Sequence, residues 1–377
     1  MGSATAYYLL RKRSDQSVLV IERDPTYQYS STLLCEGNVR IQFNLEENIR
    51  ISQYGLEVLA SFADEMTVGE FRPDPGVRRQ GNLFLIDEAG REAAEAGLEL
   101  QHRLGCDVRW LTPDDIARSY PPFASDQVVG ATFGPDDGSV DPNAVLRGYR
   151  AKAIDMGAEF REGEVSSITA SGGQVQGVAV SDGRTFESPI VVNAAGAWAP
   201  GLVEPLGVEL PVVPVMRTSY VLKTDLGLGS VLPSAFLPSG VYLIAENEGV
   251  FNCGWSRPDD PVGFDFTYSR ERFYNIHWPE LVEWLPAFER LDLLRAWAGL
   301  YDTNTLDSNA ILGEWPTLAG LYIVTGFSGH GFQQCHAVGR YIAELILKLP
   351  VSIDLSRLGP ERVIEGRPLF ENAARIL

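Results

Sequence analysis

Apolar and polar positions along this chain switch repeatedly between the period of a helix and the period of a strand. The opening "MGSATAYYLLRKR" predicts a helix whose first turn, Gly2 to Ala6, carries only small side chains. "SVLVIERD" follows as a short buried strand, apolar from Val18 to Ile21 and closed by Glu22. "GNLFLID" predicts a strand and "EAGREAAEAGLELQHRLG" an amphipathic helix. "TPDDIARSY" predicts another helix, with Thr112 as N-cap and Pro113 at the first helical position. In "DGSVDPNAVLRGYRAKAIDMGAEF", Asp141 caps a helix that Pro142 opens and Gly157 ends. Apolar stretches punctuated by Gly172-Gly173 and Asp182-Gly183 predict a three-stranded antiparallel meander. "PIVVNAAGAWAP" is a strand running into a small-residue turn, and residues 210–300 are strand-rich and aromatic. The last third returns to strand, glycine loop and helix in "GLYIVTGFSGHGFQQCHAVGRYIAELIL". No internal repeat is apparent.

Composition narrows the function classes. At 377 residues, two domains are the natural expectation. Acidic residues outnumber basic ones by 50 to 31, for a formal charge of -19, which disfavours nucleic acid and anionic membrane as partners. No run reaches the roughly 18 apolar residues of a membrane span. Cys35, Cys106, Cys253 and Cys335 are far apart without a CxxC pair, and only four histidines are present, so neither a metal centre nor a disulfide framework is expected. A cytoplasmic location is expected, or the mitochondrial matrix if the source is a eukaryote.

Candidate chemistry gathers where strands meet Gly, Ala and Ser. Glu22 lies 20 residues after Gly2. In a dinucleotide-binding unit, an acidic residue about 20 residues on takes the ribose hydroxyls. A plain helix and strand ending in a surface glutamate would carry the same spacing. "VVNAAGAW" and "VTGFSGHGF" are two further strand-to-turn junctions where small residues let backbone approach a flat or phosphorylated ligand.

In that order, "MGSATAYYL", "VLVIERD", "GSVDPNAVL", "NAAGAW" and "GFSGHGF" resemble the D-amino acid oxidase family of FAD-dependent oxidoreductases, which includes glycine and sarcosine oxidases. Within it, "SSTLLCEGNVRIQFNLEENIRIS" is similar to the FAD-dependent oxidoreductase domain-containing protein 1 group. The resemblance implies an α/β fold: a Rossmann-like parallel sheet for FAD, interleaved with an α+β substrate domain built on an antiparallel sheet. The FAD-binding part would comprise 1–73, 134–209 and 297–377, and the substrate part 74–133 and 210–296. Against the family pattern the opening lacks the first strand and first two glycines, so an N-terminally shortened motif with weak FAD retention is expected.

The implied cofactor residues are Gly2, Ser3, Glu22, Arg23, Ser31, Thr32, Arg40, Val165, Ala195, Gly196, Trp198, Gly326, Gly329, His330, Gly331, Phe332 and Gln333. The implied reaction oxidises the C–N bond of a small amino acid or amine by hydride transfer to flavin N5, leaving an imine that hydrolyses. Arg40, His330 and Gln333 are its catalytic candidates, and Phe43, Arg217, Tyr220, Tyr242, Trp255 and Tyr301 the substrate-pocket candidates. For each a plainer reading exists: His330 as a structural hydrogen bond, Arg217 as a solvated ion pair, the tyrosines as core. Cys335 and His336 read as helix packing residues. Sarcosine-oxidase-like members carry lysines where Gln333 and Asn252 stand here, and a flavin-linking cysteine that has no counterpart near Gly299-Leu300. FAD is therefore expected to be non-covalent, and the electron acceptor to be oxygen or a redox partner. A flavin-holding assembly protein without turnover, or an inactive shortened chain, are the alternatives.

Overall fold

The computed structural model describes residues 1–226 and 231–371. The chain opens with α1 (Gly2–Lys12), β1 (Leu19–Glu22), α2 (Ser31–Leu34), β2 (Asn38–Val39) and α3 (Glu46–Glu65). Then come β3 (Asn82–Ile86), α4 (Arg91–Arg103), β4 (Arg109–Leu111), α5 (Pro113–Ser119), β5 (Gly130–Gly134), β6 (Gly138–Ser139) and α6 (Pro142–Asp155). Strands β7 (Glu159–Glu162), β8 (Val165–Ser171), β9 (Gln174–Val180), β10 (Thr185–Glu187) and β11 (Val191–Asn193) lead to α7 (Ala199–Val203). The long β12 (Val212–Lys223), then β13 (Ser234–Phe236), β14 (Val241–Asn247) and β15 (Val250–Trp255), precede the short helices α8 (Arg270–Arg272) and α9 (Trp278–Trp284). The chain closes with β16 (Asp292–Asn304), β17 (Ile311–Glu314), β18 (Leu321–Thr325), α10 (Gly331–Ile346) and α11 (Glu361–Ile364).

The start signals act as read. Thr112 and Asp115 form a reciprocal capping box at α5, and the Asp141 carboxylate accepts the Asn143 N–H at α6. β8, β9 and β10 form the antiparallel meander.

The parallel, Rossmann-like part consists of two ladders. β1 pairs with β7, and β11 pairs with β18, whose other edge carries the antiparallel β17. The buried strand expected at "SVLVIERD" is only half-buried over all four residues. β1 has a ladder partner on one edge alone among the described residues, and that leaves its other edge open. Helices α1, α3 and α10 pack together over this region, burying Ser3 to Leu10 of α1. Gly339 of α10 allows the closest approach, since a Cβ there would run into the backbone of Ala4.

The second layer is an eight-stranded sheet in the order β16-β12-β15-β14-β13-β3-β5-β4, antiparallel except where β13 meets β3. Successive side chains on its strands point to opposite faces. One face carries Tyr220, Leu222, Leu243, Phe251 and Cys253, which pack with Phe273, Leu281 and Phe288 in an apolar core. Each such fully buried side chain contributes about 1.5–3 kcal/mol. The other face carries Arg217, Ser219, Tyr242, Asn252, Gly299 and Tyr301, beside an apolar patch of Phe84, Phe236 and Ile244. β16 runs across the boundary drawn at 296/297 and pairs with β12 on both sides of it, with one bulge opposite Val221 and Leu222.

Candidate active site

The site is framed by the glycine loop between β18 and α10. Asp302, at the end of β16, organises it: its carboxylate accepts the Gly326 N–H (2.8 Å) and the Thr325 hydroxyl (3.1 Å). Burial pushes that carboxyl above its ordinary range. The Ser328 N–H donates to the Asp302 carbonyl, and the Asn304 N–H donates to Ser328 Oγ (3.0 Å), which holds Ser328 at a left-handed φ of 50°. Gly329 has φ 100°, and a Cβ there would enter the Tyr301 ring, so a larger residue cannot stand at this turn. His330 is the residue that caps α10, followed by Gly331 and the half-buried Phe332.

Arg40 reaches this loop from the strand segment after α2. Its guanidinium Nη2 lies 3.3 Å from His330 Nε2, and its backbone N–H donates to Gln333 Oε1 at 2.7 Å. The rings of Phe43, Phe84 and Phe236 lie 4.7, 5.5 and 5.6 Å from the guanidinium carbon. Phe84 and Phe236 stack on each other at 4.2 Å, and Phe43 meets His330 edge-on. Such faces attract a cation without neutralising it. Arg40 Nε is buried without a partner. Burial and the Arg40 charge push the His330 imidazole down to about 3, so it is neutral at physiological pH and accepts from Arg40. Gln333, expected in a catalytic role, is buried and engaged with the Arg40 backbone.

A small cavity beside this loop is lined by Ser31, Leu34, Cys35, Glu36, Arg217, Ser219, Tyr242, Gly299, Leu300 and Tyr301. The structure thus brings Arg217, Tyr242 and Tyr301 together. Arg217 lies over the Tyr301 ring at 5.2 Å and is ion-paired with Asp260, which also takes Arg272. Two of the expected pocket residues are corrected. Tyr220 and Trp255 point to the apolar face of the sheet, because their positions alternate with those of Ser219 and Gly254. The Tyr220 hydroxyl donates to the Ser269 carbonyl (3.0 Å), and Trp255 Nε1 donates to the Ser239 carbonyl (2.8 Å). Glu36 was missed by sequence reasoning, as were Asp302 and the Phe84–Phe236 pair.

A second group surrounds the start of α1. Gly2 opens α1 and the half-buried Glu22 closes β1; Glu22 Oε1 accepts the Asp24 N–H (3.1 Å), and burial raises its carboxyl. Arg23 lies 3.8 Å over the Trp198 ring, which stacks on Phe264. Gly196 has φ 55° with open space where a Cβ would be, and its carbonyl accepts from Thr325 Oγ1 (3.0 Å). Ala195 begins that turn, its N–H on Asn193 Oδ1. Val165 starts β8 beside this group, two residues after Gly163, whose N–H donates to the Glu22 carbonyl. Ser31 donates its hydroxyl to the Leu300 carbonyl (2.8 Å), and the Thr32 carbonyl accepts from Cys35 Sγ. Ser3 is buried, and Arg150 has a buried Nε without a partner.

These residues fit FAD. Open space stands over Gly2 and Gly196, an acid follows β1, and the orphaned donors of Arg40 and Arg150 lack acceptors. A helix N-terminus and fixed cations suit an anionic ring and a pyrophosphate.

Fold and site together define a flavin-dependent oxidoreductase, and the chain belongs to the DAO family of FAD dependent oxidoreductases, whose pattern matches residues 1–345. It is similar to FAD-dependent oxidoreductase domain-containing protein 1 of Bos taurus, at 34% identity over 92% of this chain and 79% of the bovine protein. It is 28% identical to a D-amino acid dehydrogenase of Paramagnetospirillum magneticum, over 86% of this chain and 75% of that protein. The structure of L-proline dehydrogenase from P. horikoshii superposes with a TM-score of 0.85 at 27% identity, covering 97% of this chain and 96% of that one. No described helix is long and apolar enough to cross a membrane, and no described group of acidic, His and Cys side chains could hold a metal.

Proposed function

We propose that this protein oxidises the C–N bond of a small primary or secondary amino acid, using non-covalently held FAD. One observation carries the reading: a buried, incompletely satisfied arginine stands in an aromatic cage at the glycine loop of a DAO-family chain. Bound FAD would supply the hydride acceptor at N5. Glu22 and the α1 terminus would hold the dinucleotide, and Arg40 with the α10 N-terminus would place positive charge where the flavin ring takes up negative charge. His330, neutral and fixed by Arg40, accepts from the guanidinium without adding charge beside it. Phe43, Phe84 and Phe236 exclude water around the cation, which strengthens its field. Tyr242, Tyr301 and Arg217 orient the substrate so that its C–H faces the acceptor. The imine product hydrolyses in water.

With Gln333 engaged by Arg40 and Asn252 Nδ2 donating to Glu246 Oε1 (2.8 Å), neither position offers a free cation. This favours a dehydrogenase that passes electrons to a partner over an oxidase, and keeps a flavin-holding assembly role as the second reading. The deciding experiment is anaerobic addition of glycine, sarcosine, proline and D-alanine to flavin-loaded protein. Bleaching of the flavin band by at least one of them is expected. If none bleaches it, the catalytic reading fails and the assembly role stands.

A further inference from the structure

We propose that Glu36 is the group that binds the substrate's ammonium and takes a proton from it, an assignment that rests on the amine-oxidising reading above. Glu36 lies in the wall shared by two cavities. It lines the inner pocket with Arg217, Tyr242 and Tyr301, and it also lines an outer cleft of about 520 Å³ with Arg78, Asp141, Glu246, Asn252, Arg295 and Trp297. Its carboxylate accepts from the Ser219 hydroxyl and, at 3.1 Å, from the Tyr242 hydroxyl. Two neutral donors fix its direction but leave its charge uncompensated, and among the described residues no cation is hydrogen-bonded or ion-paired to it. Its companion in the pocket, Arg217, is already neutralised by Asp260.

An enclosed carboxylate without a counter-ion is costly unless a ligand supplies one. A substrate ammonium does so, and its charge is the feature that separates an amino acid from a hydroxy acid of equal shape. Burial raises the Glu36 carboxyl, with Glu246 adding to the effect and the Ser219 and Tyr242 hydrogen bonds opposing it. Tyr301, Cys253 and Cys35 are the other titratable groups around it. In the transfer, an N–H bond of the ammonium breaks and a carboxyl O–H bond forms. The nitrogen keeps the electron pair that forms the C=N bond when hydride leaves carbon. The proton then passes to water through the outer cleft.

The test measures binding to the flavin-loaded protein by perturbation of flavin absorbance. Glycine, sarcosine, L-proline and D-alanine are each compared with the isostere that has oxygen for nitrogen: glycolate, methoxyacetate, tetrahydrofuran-2-carboxylate and D-lactate. In the wild type, the best-bound amine is expected to be favoured over its isostere by about tenfold or more, the scale of one charge-assisted contact. Glu36→Gln is expected to erase that preference while leaving isostere binding within about twofold. Retention of the preference in Glu36→Gln overturns the assignment, as does a wild type that bleaches with an amine yet shows no preference for it. A wild type that neither binds nor bleaches with any amine defeats the catalytic reading itself, and this assignment with it. Should Glu36→Gln fail to hold flavin, Tyr242→Phe decides. Losing a donor to the charged carboxylate raises its pKa, so the acid limb of kcat/KM should move to higher pH; an unmoved limb overturns the proposal.

Discussion

Arg362 and Arg40 are both buried arginines, and their surroundings differ in kind. Arg362 makes two contacts to the Asp307 carboxylate, at 2.9 and 3.1 Å. Its remaining donors go to the carbonyls of Leu358, Gly359, Asn309 and Ala310. Asp307 in turn accepts from the Asn304 side chain and the Asn309 and Leu369 N–H groups. This is a closed network that pins the segment around α11 against the end of β16. Arg40 instead has its guanidinium on a neutral imidazole among three phenyl rings, with Nε left over; the Glu371 and Asp137 carboxylates act on its charge without a hydrogen bond or ion pair to it. A saturated buried cation holds a fold together; an unsaturated one is held ready for a ligand.

The largest effect that could break this contrast is on stability. Asp307→Ala leaves a guanidinium buried without its counter-ion and should cost about 3–5 kcal/mol in urea unfolding. Pairing it with Arg362→Leu should recover much of that loss, because the desolvated charge is then gone. Arg40→Met should do the opposite: urea stability unchanged or higher, and FAD retention and reduction by amine lost. A loss of stability in Arg40→Met as large as in Asp307→Ala would show that Arg40 too is structural, and the contrast would collapse.

Sequence reasoning reached this contrast from one side only. The turn after β11 and the glycine loop after β18 were legible because each lies within a local strand-to-turn pattern that fixes its own geometry, whereas Arg40 was reached only through the family resemblance. The Arg362–Asp307 network was not, since its partners come from separate loops and no spacing rule links them. Tyr220 and Trp255 were misplaced for a related reason. Their face depends on pairing β12 with β15 and β16, which sets Tyr220 opposite Cys253 and Ala296. Both neighbours are apolar, so period-2 alternation applied across paired strands would have sent Tyr220 to the core and Ser219 to the pocket. Glu36 escaped notice because its hydroxyl partners are 183 and 206 residues away.

A smaller effect sharpens the Arg40 side. His330 is held down to about 3, first by burial and then by the Arg40 charge. An unfolded histidine titrates near 6.5, so between about 6.5 and 3 the unfolded chain binds the extra proton. His330 therefore contributes stability that is present above pH 6.5 and lost progressively as pH falls through that window. In Arg40→Met the second cause disappears and the first remains. Its imidazole should titrate at higher pH than in the wild type, though still below 6.5, as followed by NMR of the ring carbons. An unchanged titration would mean that the 3.3 Å contact carries no electrostatic coupling.

The smallest expected effect comes from an arginine that is paired but wet. Arg72 contacts Asp64 at 2.8 Å, as short as many contacts of the buried network, yet the two side chains are 56% and 79% exposed. Water already solvates both charges, so the pair gains little Coulomb energy and ordering two side chains offsets it. Arg72→Gln should leave the melting temperature unchanged at low and at high salt. A shift comparable to that of Asp307→Ala would mean that contact geometry, and not desolvation, separates the arginines of this protein. The similar distances make the comparison informative: Arg72 places both its contacts on one Asp64 oxygen while Arg362 spans both oxygens of Asp307, and beyond that the two differ in the surrounding dielectric and the number of other acceptors.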